Sequence, residues 1–388
     1  MFIEETRREF AKHFPEGKQP VYSQAPGRTN LIGEHVDYQG GYVLPVAVNR
    51  WIEACGVRRG DSSLRLFSVT YKQLFTGSLG ELQFQTAYPW ANYVLGVTDQ
   101  LKKAGIVSFG FDLAVGGNIP VASGLSSSAA LEICIACLLL KLAEKQLPQL
   151  EVIKLARRAE NEFVGVNCGI MDQFSSYLCR AHHALLLNCA TLEYQHVPLN
   201  LGSYCLLLVD TLKERKLSAS HYNERVRQVK EALSVVRRRR PEVEYLTQLQ
   251  EQELEEFSSL MEPVVFQRAL HVIRENQRVR KAVKLLQEGD VFSFGKLLYA
   301  SHESLRDLYQ VSCEELDFIV EQAAKDSEVA GARLTGAGFG GCCLVLLKET
   351  GKQDFKDKLL CAYRSRFNKQ PRFYEVETTD GAYYLNRF

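Results

Sequence analysis

Arg28, Glu34, His35 and Asp37 fall within one short stretch, Gly27-Arg-Thr-Asn-Leu-Ile-Gly-Glu-His-Val-Asp-Tyr-Gln-Gly-Gly41. Carboxylates accept from hydroxyls and an imidazole can donate or accept, so this set suits a polyhydroxylated small molecule. Pro26 and the glycines forbid a long helix here, and a solvated surface loop is the competing reading. A second stretch, Pro120 to Glu132, joins a Gly/Ser turn to the start of an apolar helix. Ser126, Ser127 and Ser128 stand where that helix begins, and its free N–H groups and partial positive charge favour a bound phosphate. Gly124 would let the backbone approach the phosphate closely, and a serine hydroxyl could reach an accompanying Mg²⁺. An ordinary serine-capped core helix explains the same residues.

Two further carboxylates sit in apolar company. Glu160 lies at the edge of the stripe Val152, Leu155, Ala156, Ala159 and Phe163 on a helix predicted over 150–163, which suggests a metal or ion-pair role. Asp172 lies among Met171, Phe174 and a helix start, as an N-cap or as a buried catalytic carboxylate. A third glycine cluster, Leu334 to Gly341, formally contains G-x-G-x-x-G at Gly336, Gly338 and Gly341. A dinucleotide site needs a helix after that pattern. Here Cys342 to Leu347 reads as a strand, so a glycine loop that enters a core strand and touches a ligand fits better. No G-x-x-x-x-G-K-[ST] occurs, and no H-R-D or D-F-G set.

The elements that must position these groups follow from periodicity and breakers. Helices are predicted for the N-terminus to His13, for 89–104, 129–147, 150–163 and 170–178, and for much of 212–324. Strands are predicted at 20–23, 42–48, 52–57, 64–68, 83–85, 109–116, 184–188, 194–198, 204–211, 342–347, 373–376 and 382–385. Arg237 to Arg240 read as the exposed end of a helix rather than a polyanion site.

The 388 residues, 46% of them hydrophobic, allow about two domains, and pattern alone places the boundary near residue 200, giving 1–200 and 201–388. A net charge of +1 asks for neither nucleic acid nor a membrane surface as partner. No run reaches the roughly 20 apolar residues of a membrane span, and the polar N-terminus is not a secretory signal. The 11 cysteines are scattered through apolar runs, as reduced thiols of a cytoplasmic protein would be.

Four segments in this order resemble the galactokinases of the GHMP family of small-molecule kinases. Residues 27–41 resemble the sugar-kinase signature, 120–130 the ATP motif, and Arg333 to Gly341 the third motif. Cys168-Gly-Ile-Met-Asp-Gln-Phe174 resembles the stretch that carries the catalytic aspartate. The resemblance implies an α+β, two-domain GHMP kinase fold. Its N-terminal domain would be ribosomal-S5-like and its C-terminal domain ferredoxin-like, with the active site between them. It implies ATP-dependent phosphorylation of D-galactose at the anomeric hydroxyl. Asp172 would take or polarise that proton, and Arg28 would hold Asp172 ionised and stabilise the transferring group. Glu34, His35, Asp37, Gly169 and Tyr222 would bind the sugar. Ser68, Gly124, Leu125, Ser126, Ser127 and Ser128 would bind ATP, with Ser128 and Glu160 as Mg²⁺ ligands. A cytoplasmic monomer is expected.

Three positions depart from the family pattern. Val36 replaces Thr, Gln39 replaces Asn, and Asn167 replaces Pro. The first two flank the sugar residues, so they bear on which sugar is taken. A kinase for N-acetylgalactosamine or L-arabinose, and a catalytically silent sugar and ATP sensor, remain as alternatives. The intact Ser126 to Ala130 run, with Arg28 and Asp172, speaks against the sensor.

Overall fold

The computed structural model describes residues 2–15, 19–120, 124–213 and 218–385. Val121, Ala122 and Ser123, in the stretch that resembles the ATP motif, and Leu217 ahead of Tyr222, lie outside the described residues. Helix α1 (Phe2–His13) sets Phe10 against Phe67 and Cys55 on the outer face of a sheet. That sheet takes β1 (Val21–Asn30), β3 (Pro45–Arg58), β4 (Ser63–Ser68) and β5 (Gln73–Ser78), β2 (Tyr42–Val43) pairing elsewhere. Helix α2 (Ala91–Lys103) and strand β6 (Phe111–Gly117) follow. The sheet order is β1-β3-β6-β4-β5, antiparallel except between β4 and β6.

Strand β1 continues through Pro26 and Gly27, where the sequence suggested a loop. It can do so because β1 is an edge strand, where a missing N–H is tolerated, and because its register shifts between Pro26 and Arg28. Gly27 is required there, since a Cβ would stand 2.7 Å from the Leu125 carbonyl oxygen. The expected strand at 83–85 is absent, and β5 at the exposed sheet edge takes its place.

Helix α3 (Ser127–Leu142) is apolar all round and lies in the core. Helix α4 (Gln149–Arg158) runs into a π-helical turn at Ala159–Val164, ended by Gly165 at φ 87°. After α5 (Met171–Leu178), the hairpin β7 (His183–Asn188) and β8 (Tyr194–Pro198) pairs with β2.

The remaining elements are β9 (Tyr204–Asp210), α6 (Ser218–Arg237), α7 (Glu251–Glu255), α8 (Pro263–Glu288), α9 (Val291–Asp307) and α10 (Glu314–Lys325). They continue as β10 (Val329–Leu334), β11 (Cys342–Lys348), α11 (Lys352–Phe367), β12 (Arg372–Val376) and α12 (Ala382–Leu385). The four strands form an antiparallel sheet ordered β10-β11-β9-β12. With helices between β9 and β10 and between β11 and β12, this is the ferredoxin-like pattern.

Residues 382–385, expected as a strand, form α12 instead. Gly381 N–H donates to the Cys179 carbonyl at 2.7 Å, and Tyr383 meets Tyr177 edge to face, so packing on α5 decides the local conformation. The arginine run ends α6, and Arg240 pairs with Glu242 and Glu253. All 11 cysteines are free thiols. No helix among the described residues is long and apolar enough to cross a membrane.

Candidate active site

Arg28 is delivered by the end of β1 and Asp172 by the first turn of α5. Their side chains form a two-pronged ion pair, Nε to Oδ1 and Nη2 to Oδ2, both at 2.8 Å. The third guanidinium nitrogen donates to the Gly124 carbonyl at 2.7 Å, and the Arg28 N–H donates to the Leu125 carbonyl at 3.1 Å. One arginine therefore fixes both the carboxylate and the phosphate turn. Burial works against its charge, but Asp172 and then Glu34 outweigh this and raise its pKa above the ordinary value. Asp172 does not cap α5, because Ile170 holds that position.

Ser126 does not cap α3 through its side chain. Its backbone is left-handed at φ 55°, and its hydroxyl donates to Asp172 Oδ2 at 2.5 Å. Asp172 is thus held from two sides, by Arg28 and by Ser126. Ser127, Ser128 and Ser68 line an adjoining cleft of about 320 Å³, walled by Trp90, Tyr93 and Tyr71. Those aromatic residues were not singled out in the sequence, since they belong to no motif.

The sugar-kinase signature folds as a tight turn. His35 sits at φ 62°. Its Nε2 faces the Ala337 carbonyl at 3.2 Å and its Nδ1 the Tyr38 hydroxyl at 3.0 Å. Burial, then the neighbouring His271, pulls its pKa down to about 3, so the ring is neutral at pH 7. The Tyr222 ring lies tilted against it, centroids 5.6 Å apart. The Asp37 carboxylate lies against Gly169, where a Cβ would collide with Oδ2 at 1.6 Å. Burial first, and then the charge of Asp172, pushes the Asp37 pKa up to about 7.

Glu34 is more heavily bonded than the sequence suggested. Its carboxylate pairs with Arg333 at 2.6 Å and accepts from the Gly336 N–H at 2.6 Å and from Thr335 and Asn30. Any sugar contact would be added to these bonds. Val36 and Gln39, read as flanking the sugar, turn inward instead. Val36 is fully buried against Gly41, and Gln39 accepts from the Leu246 N–H while its carbonyl accepts from Thr247. Asn167 is exposed.

Glu160 sits in the π-helical turn, an irregularity that recurs at functional sites. Burial raises its pKa, against hydrogen bonds from Cys168 (3.2 Å), Ser128 and Gln173 (2.7 Å). The Gln173 amide also donates to Glu132 at 2.9 Å. Glu132, whose charge is opposed by burial and by Glu160, keeps a buried oxygen without a hydrogen-bond partner, as does Gln173. Sequence reasoning missed both, because an isolated Glu and Gln on apolar helices carry no motif. Among the described residues no group of three or more His, Cys, Asp or Glu is arranged to hold a metal.

The third glycine cluster closes the arrangement. Gly336, at φ 82°, lies against the backbone of Gly124, so the two glycine turns meet. A strand follows the cluster where a dinucleotide site would need a helix, so the dinucleotide reading fails.

Family models match the chain in three places: "GHMP kinases N terminal domain" at 92–180, "Galactokinase galactose-binding signature" at 8–57 and "GHMP kinases C terminal" at 282–365. The galactokinase of Clostridium tetani is 41% identical over 99% of this chain and 98% of its own length. The chain belongs to the galactokinase family. A galactokinase of Thermotoga neapolitana is 42% identical over 92% of this chain and 98% of its own. The crystal structure of Lactococcus lactis galactokinase complexed with galactose superposes with a TM-score of 0.95 at 36% identity, covering 98% of this chain and 99% of that one. Mevalonate kinase of Methanococcus jannaschii, at 21% identity and a TM-score of 0.66, shares the fold. As a member of the galactokinase family the chain is a sugar kinase, and such kinases take a nucleotide as second substrate.

Proposed function

We propose that the protein transfers the γ-phosphoryl group of ATP to the anomeric hydroxyl of D-galactose, giving galactose 1-phosphate and ADP. The observation that carries this is the paired Arg28 and Asp172, bound in turn to Gly124 and Ser126 of the phosphate turn. Asp172 would accept the hydroxyl proton as that oxygen bonds to phosphorus and the bond to ADP breaks. Arg28 would orient Asp172 and offset charge on the moving group. Such transfer depends mainly on positioning and electrostatics.

Asp37, His35, Tyr222 and the Gly169 backbone would hold the sugar, with Glu34 fixing the turn that carries them. Gly124 to Ser128 would wrap the phosphates, and Ser68 with the aromatic cleft would receive the rest of the nucleotide. The residues fit Mg²⁺, because Ser128 and Glu160 are hard oxygen donors and Glu160 is a buried carboxylate whose charge burial and Asp172 oppose. When bound, Mg²⁺ would neutralise phosphate charge. We place the domain boundary near residue 200, and take the protein as a cytoplasmic monomer.

The test is ADP release from Mg-ATP with galactose, N-acetylgalactosamine, L-arabinose, glucose or no sugar, beside Asp172→Asn. Galactose-dependent release that falls about 10²–10⁴-fold in the variant is expected for loss of a catalytic base. Preference for another sugar would reassign the substrate, and binding of sugar and ATP without turnover would favour the sensor.

A further inference from the structure

Phe339 is a bulky residue in the middle of the third glycine cluster, yet its backbone is left-handed at φ 58°. That conformation is strained for any residue with a Cβ and is normally left to glycine. Glycines stand on both sides of it, so the Phe is conspicuous. Its N–H donates to the Val311 carbonyl at 2.7 Å. Its ring lies against two residues of α6, with His221 at 5.1 Å between centroids and the Arg225 guanidinium 5.7 Å from the ring centre. Arg225 donates from the same helix to the Tyr309 and Gln310 carbonyls, both at 2.8 Å.

These interactions close a circuit around the sugar residues. Tyr222, next to His221, packs tilted against the His35 ring, as does Tyr309, at centroid distances of 5.6 and 4.7 Å. Two residues before Phe339, the Ala337 carbonyl meets His35 Nε2. One residue before Ala337, Gly336 lies against Gly124 of the phosphate turn. The loop thus touches the nucleotide side and the sugar side at once, and the Phe339 ring fastens it to the helix that presents Tyr222.

We propose that Phe339 is a positioning residue that locks the third glycine loop to α6 and so couples the nucleotide side of the site to sugar binding. The inference rests on the galactose kinase reading above. It is tested with Phe339→Gly, which keeps the left-handed backbone at no steric cost while removing the ring, and with Phe339→Tyr, which keeps the ring. Galactose affinity is measured by calorimetry with and without a non-hydrolysable ATP analogue and Mg²⁺, beside steady-state kinetics and thermal melting.

In Phe339→Gly, galactose affinity and KM should worsen about tenfold, as removal of one well-oriented aromatic ring would give. The change that the analogue makes to galactose affinity should shrink, kcat should move less than KM, and the melting temperature should hold. Phe339→Tyr should restore both affinity and coupling. Unchanged affinity and coupling in Phe339→Gly, with a wild type that turns over galactose, would overturn this inference alone. A fall in melting temperature that tracks the weakened affinity and is not rescued by Tyr would also overturn it, reducing Phe339 to packing. Wild-type protein that binds no galactose would overturn both this inference and the reading beneath it.

Discussion

At the scale of single residues, charge and space decide what each group can do. Asp37 shows how far burial shifts a carboxylate, from an ordinary 3.8 up to about 7. Below the unfolded value both folded and unfolded chains carry the proton. Between the two values only the folded chain does, so this contribution to stability is lost as pH rises through about 7. Wild-type protein should therefore lose more melting temperature than Asp37→Asn between about pH 5 and about pH 8, as scanning calorimetry at matched ionic strength would show. Gly169 answers to space. Gly169→Ala would drive a methyl into the Asp37 carboxylate, so galactose KM should rise while ATP KM stays near its wild-type value in initial-rate kinetics. Arg28, Asp172, Ser126 and Gly169 were named through the resemblance of their motifs to the family's, and the fold brings Arg28, Asp172 and Ser126 into contact. The inward turn of Val36 and Gln39 was not legible, because one residue's neighbour in sequence says nothing of which way its side chain points in an irregular turn.

Elements set the precision of the site. The π-helical turn after α4 swings Glu160 towards Gln173 of α5, and the Gln173 amide straddles Glu160 and Glu132. Gln173→Leu would leave both carboxylates without that donor. On the proposed role of Glu160 as a Mg²⁺ ligand, partners of this kind commonly govern metal affinity about 10–100-fold, so the Mg²⁺ concentration for half-maximal rate should rise within that range in a Mg²⁺ titration at fixed ATP. The sequence showed Glu160 as misplaced on an apolar stripe but could not show the π turn, which costs one hydrogen-bond register and leaves the side-chain pattern almost intact. Strand β1 was hidden for a related reason. Pro26 and Gly27 look like breakers until a sheet edge and the Leu125 carbonyl give each a place. Strand β5 has mostly exposed side chains, Phe75 alone being buried, so periodicity had little to register.

For the whole molecule, the last described residues tie the two halves together. Val48 pairs with Thr378, and backbone N–H groups of Asn49, Thr379 and Gly381 bond to Glu377, Ala47 and Cys179. Thr378 and Asp380 side chains accept from His182 and Ala181. Deleting 377–388 removes several such bonds, each worth about 0.5–1.5 kcal/mol, and should destabilise the protein by about 2–5 kcal/mol in denaturant titration. The α+β class was legible through the resemblance of the four motifs to the GHMP kinases, which implied it. This return was not, because residues 378–381 show no periodic pattern and 382–385, which read as a strand, take their helical conformation from packing on α5.

That tie also orders events in time. Cys179 leaves the ribosome about 200 residues before Gly381, a delay of roughly 10–40 s at ordinary rates of synthesis. Throughout that interval the helix bearing Asp172 waits for the segment that will cover one side of it. A nascent chain stalled inside this window would hold every motif of the N-terminal half and still lack the latch over the helix that carries Asp172.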